Sequence, residues 1–250
     1  MRYKVITCVK DTPLELARCI TSLMMQEGDF DVCIVDDAST DPEVEKVARI
    51  ACDQMGWTFI RQDTWRGALW NQVEAIRTIC DDPDDVIVFV DGDDRLARPD
   101  TFTILDRYYN AGAKVTWGSY QPDPPDPGCT PAFDVPNDIK RRNLYRKFIL
   151  PANLGGMSGG HFFNHLRTFK YELFAQLDDS DFTDDAGVWF TNTPDTVLML
   201  PCLELARGAV AFVPETLLIY TSNLPSAEWR NIPRKIDHVN LTVLQRAPKC

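Results

Sequence analysis

The sequence predicts an α/β protein built on a doubly wound, mainly parallel sheet with a smaller C-terminal subdomain, and three observations predict it. Short uninterrupted apolar runs such as Val86-Ile-Val-Phe-Val90 recur along the first half of the chain, and a run of this kind bounded by polar turns reads as a strand covered on both faces. These runs alternate with segments of helical periodicity, the order that yields right-handed crossovers and helices on both sides of a sheet. Two of the runs end in acidic clusters, Asp36-Asp37 and Asp91-Gly-Asp-Asp94. Ligands of open α/β sheets bind just beyond the carboxyl ends of the strands.

Taken in order, Lys4 to Cys8 reads as a first strand, and Pro13 to Met25 as a helix with Leu14, Leu16, Ala17, Ile20 and Leu23 on one face. Phe30 to Val35 is the second strand. Ser39, Thr40 and Asp41 are N-cap candidates for the helix opened by Pro42. Trp57 to Arg61, Val86 to Val90 and Val115 to Tyr120 continue the strands, with helices expected over Gly67 to Cys80 and Pro99 to Ala111. Residues 121 to 136 carry too many prolines for regular structure and mark a boundary. Beyond it come a basic run, Lys140 to Lys147, a flexible Gly-rich loop at 155 to 160, and helical periodicity from His161 to Leu177. A further helix is expected near Thr193-Pro-Asp195, with Pro201 bending it or shifting its start. Ala209 to Val213 and Thr216 to Tyr220 read as two short strands. The organisation implied is 1–120, a parallel-sheet half; 121–138, a connector; 139–222, a second half; and 223–250, a tail.

Charge is unevenly spread. The chain of 250 residues carries a formal net charge of −11; residues 1 to 125 hold 13 Lys and Arg against 23 Asp and Glu, and the remainder 13 against 14. This argues against wrapping duplex nucleic acid through a basic face, though not against a local basic patch. Eight cysteines scattered without short spacings, and no secretory segment, point to a reduced cytoplasmic protein. No stretch reaches the roughly 18–20 apolar residues of a membrane span. Three histidines without a Cys-x-x-Cys argue against structural zinc.

The acidic clusters carry the chemistry. Carboxylates as close as Asp91, Asp93 and Asp94 repel one another unless a cation joins them, and Mg²⁺ or Mn²⁺ held by one or two carboxylates plus substrate phosphates is the usual solution. A helix cap accounts for Asp41 but not for Asp36 and Asp37, which sit directly after a buried strand. The basic run 140 to 147 reads by default as a solvated helix face, with steering of an anionic substrate as the alternative. Trp117 and Trp189 suit either a sugar-stacking or a core role.

The segments Val5-Ile-Thr-Cys, Val35-Asp-Asp-Ala-Ser-Thr-Asp41, Arg66-Gly-Ala-Leu-Trp-Asn71 and Phe89-Val-Asp-Gly-Asp-Asp94 occur in an order and spacing that resembles the family 2-type glycosyltransferases of the GT-A fold. The second half, through Gly160-His-Phe-Phe-Asn-His-Leu-Arg-Thr-Phe-Lys170 and Asp195 to Glu204, resembles a subgroup found in bacteria, phages and large viruses. The resemblance implies a Rossmann-like GT-A sheet. It implies that Asp36 and Asp37 hold the nucleoside, that Thr7 and Cys8 line the base pocket through their backbone, that Arg66 and Asn71 belong to the same nucleotide site, and that Asp91 and Asp93 meet the sugar nucleotide and a Mn²⁺ or Mg²⁺ ion. The implied donor is a nucleoside diphosphate sugar, a UDP-sugar being the commoner choice. The implied acceptor is a hydroxyl on a modified DNA base, a virion protein or an envelope glycan, in the host cytoplasm if the chain is phage-encoded.

Such a transfer needs a carboxylate to take the acceptor's proton. Asp195 is the first candidate; many members place Glu-Asp there, whereas this chain has Pro194-Asp195, so Asp184 and Asp185 compete. Arg66, Arg167 or the 140 to 147 run offer fixed positive charge to the leaving diphosphate. His165 suits the metal or diphosphate as well as a packing role, and Glu204 either orients Asp195 or binds nearby backbone. Two other readings are weighed against transfer. A haloacid dehalogenase-type phosphatase needs its Asp-x-Asp after an early strand, and a non-catalytic nucleotide-sugar-binding protein would keep the acidic clusters without a base.

Overall fold

The computed structural model describes residues 1–129, 132–157, 162–191, 193–222 and 242–249. The expected alternation is observed through the first half: β1 (Tyr3–Val9), α1 (Pro13–Met24), β2 (Phe30–Asp36), α2 (Pro42–Met55), β3 (Thr58–Arg61), α3 (Ala68–Ile79), β4 (Val86–Phe89), a short β5 (Arg95–Leu96), α4 (Thr101–Asn110) and β6 (Val115–Asp123). There follow α5 (Asn137–Arg141), α6 (Tyr145–Ile149), a 3-10 turn (Ala152–Leu154), β7 (Arg167–Lys170), α7 (Tyr171–Phe174), α8 (Asp179–Phe182), α9 (Pro194–Leu205) and β8 (Val210–Thr221).

All eight strands join one sheet in the order β3-β2-β1-β4-β7-β6-β8-β5. β7 runs against β4 and β6, and β5 runs against β8; the other neighbours are parallel. The sheet is buried on both sides because successive side chains point to opposite faces. Ile6, Cys33, Val35, Ile87 and Phe89 pack with Leu69, Val73 and Ile76 of α3 and with Val197, Leu198 and Leu203 of α9. Their neighbours in sequence, Val5, Val32, Ile34, Val86 and Val88, pack on the other side with Leu16, Ile20 and Leu23 of α1, Val44 and Ala48 of α2, and Phe102 and Leu105 of α4. Local signals end these helices where expected. Asp41 caps α2 by accepting from the Glu43 N–H at 2.9 Å, Pro42 occupies the first turn, and Gly56 closes the helix at φ 70°.

Three sequence expectations are corrected. The helical periodicity of 161–177 does not produce a helix over that span: residues 167–170 form β7 between β4 and β6, and only Tyr171–Phe174 is helical. The free edge of β4 supplies a ladder that Arg167, Thr168 and Phe169 can complete. Such long-range pairing outweighs a weak local preference. The two short strands near the end are one, β8, whose ladder with β6 steps from Gly118↔Val213 to Ser119↔Thr216. Pro214 and Glu215 form the bulge, where the missing N–H of proline is harmless. β6 itself continues through Gln121 and Pro122 into the expected boundary. Its pairing with β7 covers only Val115 and Thr116, so Pro122 meets no donor requirement on that side.

The basic run divides. Lys140 reaches Asp134 at 2.6 Å and lies over the Trp117 ring, and Arg146 binds Glu204, while Arg141, Arg142 and Lys147 are exposed. No helix among the described residues is long and apolar enough to cross a membrane. The described cysteines are free thiols.

Candidate active site

The carboxyl ends of β2, β1 and β4 lie side by side, and the acidic clusters follow two of them. Asp36 ends β2 with its carboxylate fully buried: Oδ1 accepts from the Ser39 N–H at 2.9 Å and Oδ2 from the Arg61 guanidinium. Asp37 accepts from the backbone N–H groups of Arg66 at 2.7 Å and Gly67 at 2.9 Å. The two acids thereby fasten the end of β3 and the whole 62–67 loop to β2. Gly67, which starts α3, has φ 86°, a conformation glycine adopts without strain. The Arg66 side chain meanwhile lies over Trp70.

Cys8 of β1 sits between the clusters, and burial together with the charges of Asp91 and Asp37 pushes its thiol well up from the ordinary range. Its carbonyl accepts from the Gly92 N–H at 2.9 Å. A Cβ on Gly92 would stand 2.8 Å from that carbonyl oxygen and 2.8 Å from the Val9 Cβ. The approach is closed to any other residue without backbone movement. Gly92→Ala is expected to cost about 1–3 kcal/mol of stability through overpacking, read from the urea midpoint; an unchanged midpoint would contradict this packing.

After Gly92 the chain turns tightly, the Asp94 N–H donating to the Asp91 carbonyl at 2.9 Å. β8 locks the turn: the Thr221 N–H donates to Asp94 Oδ1 at 2.8 Å, and its hydroxyl donates to the Asp93 carbonyl. Asp94 Oδ2 is buried and meets no hydrogen-bond donor among the described residues. Asp91, Asp94 and His165 each offer a ligand atom, and the three atoms lie within 4.8 Å of one another. Burial, then the Asp91 charge, raises the Asp93 carboxyl to about 7; burial, then Asp93 and Asp91, also raises Asp94 well above the ordinary carboxylate range. An orphaned carboxylate oxygen among crowded like charges fits a hard divalent cation. Asp91, Asp94 and His165, all raised by the sequence, are thus the clustered groups that could hold such a cation, while Asp93 is not one of the three.

β7 completes the arrangement. Arg167, opposite Phe89 in the ladder, directs one guanidinium nitrogen to Asp195 at 3.0 Å and another toward Asp91 at 3.5 Å. Its side chain is buried. Asp195 occupies the first turn of α9, where a carboxylate also complements the helix dipole. The His165 ring packs between Tyr120 and Tyr220, each 5.7 Å away by ring centroid.

The remaining sequence candidates fall elsewhere. Asp184 accepts from the Ala186 and Val188 N–H groups of its own turn, and Asp185 is exposed. Glu204 is fully buried at the far end of α9, holding the Arg146 guanidinium at 2.5 and 2.9 Å and the Lys249 N–H at 2.9 Å. It binds neighbouring groups and does not orient Asp195. α9 runs through Pro201 without a shifted start. Asn71 and Thr7 are fully buried, behind the site surface, with the Asn71 amide atoms and the Thr7 hydroxyl unpaired among the described residues. Trp117 is core, and Trp189 packs on Trp70 and Phe182. Arg230, Arg234 and Lys235, which with the 140 to 147 run are the sequence's candidates for a basic channel to a DNA acceptor, lie outside the described residues, as does His161. Sequence reasoning passed over Trp65, whose signal was an aromatic residue alone in the polar 62–67 loop.

A mostly parallel sheet with acidic strand ends, facing an arginine-bound carboxylate on a following helix, is the architecture of GT-A glycosyltransferases. The chain belongs to the Glycosyl transferase family 2, whose family model matches residues 4–175. No curated protein sequence matches it. Among solved structures, it is similar to glucosyl-3-phosphoglycerate synthase from Mycobacterium tuberculosis in complex with Mn²⁺, UDP and phosphoglyceric acid, at 15% identity and TM-score 0.65 over 98% of this chain and 79% of that one. It is also similar to residues 1–349 of S. aureus TarS, at 15% identity and TM-score 0.60 over 97% of this chain and 69% of that one. A third likeness is to the mannosyltransferase PcManGT from Pyrobaculum calidifontis in complex with GDP-Man and Mn²⁺, at 15% identity and TM-score 0.59, covering 91% and 59%. The chain spans 37% of a longer TarS structure. The family assignment sets aside the phosphatase reading.

Proposed function

We propose that this glycosyltransferase moves a sugar from a nucleoside diphosphate sugar to an acceptor hydroxyl with inversion, using Asp195 as the base and a divalent cation at the Asp91 turn. The observation that carries the reading is Arg167, which contacts both Asp91 of the donor turn and Asp195 of the catalytic helix. One cation thus sets the base against the position expected for the diphosphate. Asp195 accepts the proton as the hydroxyl attacks opposite the leaving group, so no glycosyl-enzyme intermediate is required. Asp91, Asp94 and His165, with Asp93 beside them, would hold Mn²⁺ or Mg²⁺, which as a Lewis acid offsets charge on the leaving diphosphate. Arg167 adds fixed positive charge to the same region. A UDP-sugar is favoured as donor, in keeping with the UDP in the mycobacterial relative's complex.

The test is thermal stabilisation by nucleoside diphosphates and their sugars, with and without Mn²⁺. A ligand at about a hundred times its Kd stabilises a native state by about 2.7 kcal/mol. A metal-dependent rise with one nucleotide is expected. Asp91→Asn is expected to remove the Mn²⁺-dependent part of that rise. A flat response to every nucleotide, with or without metal, would refute the reading.

A further inference from the structure

We propose that Trp65 is the platform on which the donor's base stacks, a subsite that rests on the nucleotide-sugar reading above. Three features place it. Trp65 is 44% exposed, an unusual position for the largest apolar side chain. Its loop does not drift, because Asp37 holds the backbone N–H groups of the next two residues, Arg66 and Gly67. The indole folds back over Gly67: a Cβ built there would lie 3.5 Å from the ring's Cζ2 and 3.9 Å from the Thr191 Cα. The ring therefore lies against Gly67, at the start of α3 and close to the segment that enters α9.

β1 separates β2 from β4 in the sheet, and neighbouring strands lie about 4.8 Å apart, so the Asp37 and Asp91 positions are about 10 Å apart across it. That is the reach of a ribose and diphosphate. With the diphosphate at Asp91 and Arg167, the base arrives at the Asp37 and Trp65 end. The loop after β1 offers Lys10, Asp11 and Thr12 and no aromatic face, and Trp189 and Trp70 are packed against each other. Trp65 is the one exposed tryptophan among the described residues. Stacking of this kind tolerates any base, so the discrimination between uracil and guanine falls to polar groups of the same loop.

The experiment uses the full chain, with UDP and inorganic pyrophosphate as probes, each with Mn²⁺. Affinities are read by calorimetry for the wild type, Trp65→Ala and Trp65→Phe. Loss of the aromatic face is expected to weaken UDP about ten- to hundred-fold, the range measured for base stacking on aromatic side chains. Pyrophosphate affinity is expected to stay the same, and Trp65→Phe to recover most of the UDP affinity. The proposal is overturned if Trp65→Ala binds UDP as tightly as the wild type, or if it loses UDP and pyrophosphate equally. Failure of the wild type to bind UDP, GDP or their sugars at all would instead refute the donor reading, and this subsite with it.

Discussion

Asp195→Asn is expected to lower transfer roughly 10²–10⁴-fold, the usual contribution of a positioned general base, while UDP with Mn²⁺ binds as before. The substitution keeps the size of the side chain and its place in the first turn of α9. It removes the atom pair that takes the acceptor's proton and weakens the 3.0 Å contact with Arg167. Arg167 retains Asp91, so the donor side of the site keeps its cation. The measurement is sugar transfer, or donor hydrolysis as its surrogate, beside a calorimetric UDP affinity. Turnover within a few-fold of the wild type would remove Asp195 from the mechanism. Loss of turnover and of UDP affinity together would make it a donor-site residue.

Glu204→Ala is expected to destabilise the chain by about 3–5 kcal/mol, the cost of leaving a buried charge without its partner. Arg146 is only 12% exposed and its guanidinium meets Glu204 through two nitrogens. The same carboxylate anchors the Lys249 N–H, and Arg146 also donates to the Val243 carbonyl, so one ion pair ties α6, α9 and residues 242–249 together. At about 2–4 °C per kcal/mol for a chain of this size, the melting temperature should fall by roughly 6–20 °C. Glu204 lies nine residues beyond Asp195, about 13 Å along a helix. UDP affinity below the transition should therefore be unchanged. A loss under 1 kcal/mol would show that the pair is neutral to stability.

These two acids mark how far the sequence could be read. Both stand on one helix, and the sequence leaves open whether Glu204 orients Asp195 or binds groups near its own end. A helix places residues nine apart on nearly opposite ends of a 12-residue element, and only the elements packed at each end decide their partners. The acidic turn shows the same division. Asp91 and Asp93 were legible because carboxylates after a buried strand have few structural uses. Asp94 belongs to the same acidic turn in the sequence, but which of its oxygens is left for a ligand is decided by β8, where Thr221 donates to Oδ1 and leaves Oδ2 unpaired among the described residues.

The sequence by itself determined the parallel half of the sheet, the helices between its strands and the edge on which the acidic clusters meet. Those features follow from apolar periodicity, Pro and Gly punctuation and caps, which act over a few residues. Tertiary structure decided the rest: the strand β7 within a segment of helical periodicity, the continuous β8, and through them the meeting of Arg167, His165, Asp94 and Asp195. The physical reason is that β4 and β6 have hydrogen-bonding edges that a distant segment must fill. The gain from completing that ladder is invisible to any local pattern in the segment that completes it.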